Sequence, residues 1–291
     1  MRGHLSFPQS ARAPLQMIHL PDVADTSLYS TILSKKLPSF ITADIMKTTR
    51  IEILYGTYNG LYRNLMIRDI MDEINTFRVI GEEGLKRKHM YGLFSKCADS
   101  GISFTVRMDV TETVRYSKAT GTSFFINTLY AVSAAVNSIE EMRYRILNGE
   151  IVCFDKVDPG YTVTTGDGMY RNCKHRMSFD YGEFYKSAAE TIEAAKKGDS
   201  KDGWDDRRVD EIYFSCVPWI DFTSVRQPLP IGDREGMSIP RIMWGKFTET
   251  DGKYLMSMDI AADHSFIDGR LISDLITEIQ KRLSDPEKYL V

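Results

Sequence analysis

Two turn signals constrain this chain more than any other feature. Asn148-Gly149 stands between Tyr144–Leu147 and Glu150–Phe154, and Asp251-Gly252 stands between Ile242–Thr248 and Tyr254–Ala262. A two-residue Asn-Gly or Asp-Gly loop matches the twist of paired strands, so each signal commits its flanks to an antiparallel hairpin. Along the outgoing strand of the second hairpin Met256, Met258, Ile260 and Ala262 alternate. Segment 103–111 alternates in the same way, with Phe104, Val106, Met108 and Val110 on one face of a half-buried strand. Helical spacing takes over elsewhere. Segment 123–137 (Phe124, Phe125, Leu129, Val132, Val136) reads as a buried helix, and 183–197 as a helix ending in Lys196-Lys197-Gly198. Ile272, Leu275, Ile276, Ile279 and Leu283 form the stripe of an amphipathic last helix. The fold class is α+β, several antiparallel strands in a sheet packed by helices.

The pattern does not extend over the whole chain. Up to about Tyr62, Pro8, Pro14, Pro21 and Pro38 interrupt a stretch without a clear apolar face, whereas periodicity sharpens from about Ile67. At 291 residues the chain has room for one large domain or two smaller ones. Its 37 Lys and Arg against 40 Asp and Glu give a net charge of −3, which points to neither nucleic acid nor an anionic membrane as partner. No apolar run approaches the roughly 18 residues of a membrane-spanning helix. Cys97, Cys153, Cys173 and Cys216 show no Cys-x-x-Cys spacing, and the expectation is a reduced, cytoplasmic protein.

Chemistry concentrates at Ala262–Gly269, between the last strand and the last helix. His264 there is held at a strand end beside a turn, where a neutral imidazole serves as general base toward a hydroxyl or thiol, or else as a structural group. The five histidines, His4, His19, His89, His175 and His264, have no metal-site spacing, so no metal is expected. Ser215, where Phe214–Trp219 leaves a strand for a turn, could donate to a developing oxyanion. It lacks the Gly-x-Ser-x-Gly context of a nucleophile elbow. Gly-x-Gly-x-x-Gly and Gly-x-x-x-x-Gly-Lys motifs are missing, which removes dinucleotide-fold and P-loop readings.

His264-x-x-x-Asp268-Gly269 resembles the His-x-x-x-Asp-Gly signature of CoA-dependent acyltransferases, and residues 77–283 are similar to the chloramphenicol acetyltransferase family. The similarity runs in order through Arg87–Tyr91, Arg143–Val152, Asp158–Val163, Phe214-Ser215-x-x-Pro218-Trp219-x-x-Phe222-Thr223-Ser224 and Gly245–Phe247. It implies a two-layer sandwich of a mixed sheet with helices, and acetyl-CoA as co-substrate for a small-molecule hydroxyl acceptor. It also implies a homotrimer in which His264 comes from one subunit and most of the acceptor pocket from its neighbour. The roles it implies are His264 as base, Ser215 as oxyanion donor and an Asp268–Arg87 ion pair bracing the site. Trp219, Lys246 and Phe247 would meet CoA, and Phe94 and Tyr161 the acceptor.

Departures bear on the acceptor. Asp263 stands where the family usually has a first histidine, Arg270-Leu271 follow Gly269, and Tyr161–Thr165 replace Phe-Thr-Val-Phe-His. Met243 replaces a threonine that orders a water. Asp263-His264 and the ending Leu283–Glu287 also resemble dihydrolipoamide-type acyltransferase domains, and a non-catalytic trimeric relative is a further alternative. Residues 1–70 are read as an N-terminal extension of uncertain order, or the product of a misplaced start, and 71–291 as the catalytic domain.

Overall fold

The computed structural model describes residues 75–198 and 208–291, all within Asn59–Val291, the second of two units into which the chain divides. The expectations for residues 1–70 lie outside the described residues. The first elements are β1 (Phe77–Val79), α1 (Lys88–Phe94), β2 (Gly101–Asp109), α2 (Thr111–Thr120), α3 (Phe124–Ser138), β3 (Tyr144–Leu147) and β4 (Glu150–Phe154). They are followed by β5 (Asp158–Thr164), β6 (Tyr170–Lys174), α4 (Tyr181–Lys196) and β7 (Glu211–Val217). The chain continues through α5 (Arg234–Met237), β8 (Arg241–Thr250), β9 (Lys253–Asp263), α6 (Gly269–Ser284) and α7 (Pro286–Tyr289).

Both turn signals act as expected. Asn148 and Gly149 have φ of 51° and 80°, Asp251 and Gly252 51° and 77°, the left-handed pair that a two-residue hairpin demands. The hairpins nevertheless belong to different sheets. β3 and β4 join β1 in a three-stranded sheet ordered β1-β4-β3, which a three-residue β1 could not announce through periodicity. β8 and β9 lie inside a six-stranded sheet ordered β2-β9-β8-β7-β5-β6. There β5–β7 and β7–β8 are parallel and the remaining pairs antiparallel.

The helices cover one face of the large sheet. Met256, Met258 and Ile260 of β9 are 0% exposed and lie beside Ile242 and Trp244 of β8. On β2 the apolar face fades from Met108, 1% exposed, to Phe104, 40% exposed, and Val110 is buried in the turn into α2 rather than in the strand. α3 is buried nearly all round, while α6 buries Leu271, Ile272, Leu275, Ile279 and Leu283 along one stripe. Each such side chain stabilises by roughly 1.5–3 kcal/mol, which fixes the axis of α6 and so the place of Asp268 at its start.

Arg145 ties the two sheets together. Fully buried, it donates from Nε to the Val209 carbonyl (2.8 Å) and from Nη2 to that of Glu211 (2.8 Å). Its Nη1 donates to Met142 (2.9 Å) and Tyr144 (2.7 Å). Burial pushes the guanidinium down to about 9, still charged at neutral pH. The result anchors the start of β7, the strand that carries Ser215.

Candidate active site

β9 ends at Asp263, and the chain turns before α6 begins. The Asp263 carbonyl accepts from the Phe266 and Ile267 amides (3.0 Å each), and the His264 amide donates to the Ser100 carbonyl (2.7 Å). Within this turn His264 Nδ1 lies 2.9 Å from the Ile267 carbonyl. A carbonyl can only accept, so Nδ1 is the donor here, and in the neutral imidazole the lone pair is then on Nε2. Phe94 of α1 stacks on the imidazole, with ring centroids 3.9 Å apart and planes inclined by 23°. Tyr91, one turn earlier, stacks on Phe266 at 5.5 Å. The ring is thus held at one nitrogen and over one face, with the other nitrogen available to take a proton.

Asp268 braces the far end of the turn. Its Oδ1 caps α6 by accepting from the Leu271 amide, and its Oδ2 accepts from Arg87 Nε, both at 2.8 Å. Arg87 also reaches Glu141 Oε1 at 3.4 Å. Burial opposes ionisation of Asp268, but the Leu271 amide and the Arg87 guanidinium outweigh it and hold the carboxyl below the ordinary range. The depressed value means that this stabilisation is complete above the ordinary carboxylate pKa and is lost as pH falls through the folded value. Asp268→Ala removes a cap of about 1 kcal/mol and a half-exposed ion pair of about 0.5–1 kcal/mol. Thermal unfolding at pH 7 is expected to show a lower Tm, with the gap to wild type closing in acid. An unchanged Tm would remove the bracing role.

A second group of expected residues gathers around the end of β7. Trp219, 67% exposed, occupies the turn after that strand. The Lys246 amide donates to the Ile220 carbonyl at 2.8 Å, which ties this turn to β8. Between Trp244 and Phe247 β8 carries an extra residue. The bulge lets both rings face the helices while Lys246 points to solvent. Phe247 packs against Phe124 (5.0 Å) and Tyr254 (5.5 Å) and is half-buried, so its ring supports the helix side.

Tyr161 pairs with Phe214 on the helix-facing side of the sheet, 3% exposed, against Phe125 and with its hydroxyl 3.2 Å from His175 Nδ1. Strand alternation turns this ring into the core of its own chain. Burial lowers His175 to about 4, leaving a neutral core imidazole beside it.

Ser215 is in register with Met243 and, through it, with Asp259. His264 lies five residues past Asp259 and two strands away. At ~3.3 Å per residue and ~4.8 Å per strand, their Cα atoms are roughly 19 Å apart. An oxyanion donor must sit about 3 Å from the reacting oxygen, so one chain does not bring Ser215 and His264 onto one substrate atom. A recess of about 320 Å³ opens on the helix layer by Tyr130, Asn137, Phe179, Arg282, Lys288 and Tyr289, and none of the expected site residues lines it. Among the described residues no group of three or more His, Cys, Asp or Glu is placed to hold a metal ion.

The sequence reading missed the groups behind the turn, Arg234, Ser100 and Ser265. Arg234 donates to Ser100 Oγ at 3.0 Å and to Ser265 Oγ at 3.2 Å, and lies 3.2 Å from Asp263 Oδ2. Asp263 is marked in the sequence by the motif resemblances alone, and nothing local marks its cation, 29 residues upstream.

A mixed six-stranded sheet backed by helices, with a histidine turn between the last strand and the last long helix, defines a CoA-dependent acyltransferase fold. Residues 75–280 match the family model described as chloramphenicol acetyltransferase. The chain belongs to that family, and it is an acyltransferase. A chloramphenicol acetyltransferase of Proteus mirabilis is 29% identical over 200 residues, 67% of this chain and 89% of that protein. One from Vibrio anguillarum is 28% identical over 206 residues, covering 70% and 93%. A solved chloramphenicol acetyltransferase structure superposes with a TM-score of 0.64 at 26% identity, over 72% of this chain and all of the other. A dihydrolipoamide acetyltransferase of Azotobacter vinelandii shares the fold at a TM-score of 0.52 and 18% identity, covering 66% and 84%.

Proposed function

We propose that this chain transfers acetyl from acetyl-CoA to the hydroxyl of a small amphiphilic acceptor, by direct attack and without an acyl-enzyme. The observation that carries the reading is the His264 imidazole, anchored at Nδ1 and stacked under Phe94, which leaves Nε2 as the basic nitrogen of the neutral ring. Nε2 takes the hydroxyl proton as the acceptor oxygen attacks the thioester carbonyl. The tetrahedral oxyanion accepts a hydrogen bond from Ser215, the C–S bond breaks, and the imidazolium returns the proton to the CoA sulfur. Asp268 and Arg87 hold the turn and exchange no proton with substrate. Trp219, in the turn after β7, and Lys246, in the β8 bulge bonded to that turn, lie along the CoA path with Phe247 behind them, and Phe94 forms an acceptor wall.

The reading places each site at the boundary between subunits of a homotrimer. The ~19 Å between Ser215 and His264 within one chain supports it, because a neighbour's Ser215 is then needed to complete the site. Chloramphenicol is the acceptor to try first, although Met243 and Thr164-Thr165 alter the wall that the family presents to the drug. No helix among the described residues is long and apolar enough to cross a membrane. A cytoplasmic setting suits the use of acetyl-CoA.

The test is release of CoA thiol from acetyl-CoA with chloramphenicol, then with a panel of small hydroxyl compounds and thiols. Drug-dependent release supports the full reading, and release with other hydroxyl compounds alone keeps the transfer and discards the drug. Release confined to dithiols would favour the dihydrolipoamide reading. Absence of any acceptor-dependent release would overturn the enzyme reading in favour of a trimeric binding protein. Residues 71–291 are proposed as the catalytic domain.

A further inference from the structure

We propose that Arg234 is a positioning residue for His264, gripping the Asp263 end of the turn as Arg87 grips the Asp268 end. The proposal rests on the reading of His264 as the base. Asp263 is 2% exposed. Its Oδ1 accepts from the Ser265 amide at 2.9 Å, while its Oδ2 has no hydrogen-bond donor among the described residues. The Arg234 Nη2 contact at 3.2 Å is an ion pair without hydrogen-bond alignment, and it supplies the charge that a buried carboxylate needs.

The same guanidinium reaches both strands that frame His264. Nη1 donates to Ser100 Oγ at 3.0 Å, and the Ser100 carbonyl holds the His264 amide at 2.7 Å. Nη2 donates to Ser265 Oγ at 3.2 Å, the residue next to His264 in the turn. Tyr91, stacked on Phe266 of the same turn, shares α1 with Phe94, the ring stacked on the imidazole. One planar fork therefore joins the start of β2 to the end of β9 and to the turn that carries His264. An ammonium, a point charge on a flexible stem, cannot hold these partners together.

If the fork is lost, the segments carrying the Nδ1 partner and the stacked ring can shift relative to the imidazole. A misplacement of about 1 Å costs on the order of a hundredfold in rate, while ground-state binding of acetyl-CoA at the other end of the site is untouched. For Arg234→Met, kcat is expected to fall about 10- to 100-fold with the KM for acetyl-CoA within about twofold. Arg234→Lys should recover only part of that loss.

The single variant leaves an unpaired buried carboxylate and can fail to fold, so the deciding variant is Arg234→Met combined with Asp263→Asn, which removes both charges. Low kcat in the folded double variant supports positioning. Wild-type kcat there, or in Arg234→Met itself, overturns it, because Arg234 would then only balance charge. The assay uses acetyl-CoA with chloramphenicol, or with the best hydroxyl compound of the panel. Ring-nitrogen NMR of labelled histidine reads the same point without an acceptor. His264 is expected as a single Nδ1–H tautomer in wild type and as a mixture in the double variant, and an unchanged tautomer counts against the proposal. Full turnover in His264→Ala would bring down the base reading separately, and the tautomer would still decide the role of Arg234.

Discussion

His264→Ala is expected to lower kcat for acetyl transfer by about 10³, with the KM for acetyl-CoA changed less than about threefold. A positioned general base contributes about 10²–10⁴, and here the ring has no neighbouring imidazole to replace it, since Asp263 stands at the preceding position. KM is spared because proton removal is an interaction of the transition state rather than of bound thioester. The fold should tolerate the change. Among the described residues the ring makes one hydrogen bond, to the Ile267 carbonyl, and one stacking contact, whereas the turn itself is held by backbone bonds and by Asp268. A loss of about 1 kcal/mol in stability is the expected scale. Steady-state thiol release at saturating acceptor, alongside thermal unfolding, separates these effects. A kcat within threefold of wild type in a folded variant would end the general-base assignment.

Mixing two dead variants should restore activity. Ser215→Ala is expected to lose about 10²–10³ in kcat through the missing oxyanion donor. If His264 and Ser215 of one site come from neighbouring subunits of a closed ring of three, a mixed ring contains one boundary where both are intact. Random reassembly of equal amounts of His264→Ala and Ser215→Ala chains puts about three quarters of rings in that state, giving about a quarter of wild-type turnover. That is a gain of more than tenfold over either parent. The measurement is thiol release after co-denaturation and refolding, with each parent refolded alone as control. No gain over the parents would locate both groups in one chain and contradict the ~19 Å that strand register puts between them.

Much of the active turn could be read without coordinates, for a local reason. The alternation Met256–Ala262, the His-x-x-x-Asp-Gly run and the stripe from Ile272 to Leu283 lie within 28 consecutive residues, so strand, turn and helix are specified by near neighbours. The Arg87–Asp268 contact spans 181 residues and was reached only through family resemblance. Arg234 had neither route. Its partners Ser100, Asp263 and Ser265 come from two distant segments, and the family motif carries no arginine signal at that place. For Tyr161 the resemblance implied a place at the acceptor, while its burial in the core of its own chain shows only in the strand register.

The two hairpin turns, the amphipathic last helix and the turn that presents His264 are written in the local order of residues. Each of these depends on backbone preference or apolar spacing over a few residues. Long-range packing settles which sheet each hairpin joins, which face of β5 meets the helices, and which cations compensate Asp263 and Asp268. It also settles that Ser215 and His264 of one chain stand apart. Those outcomes depend on strand order and register, which burial of the whole core selects and no short stretch of sequence encodes.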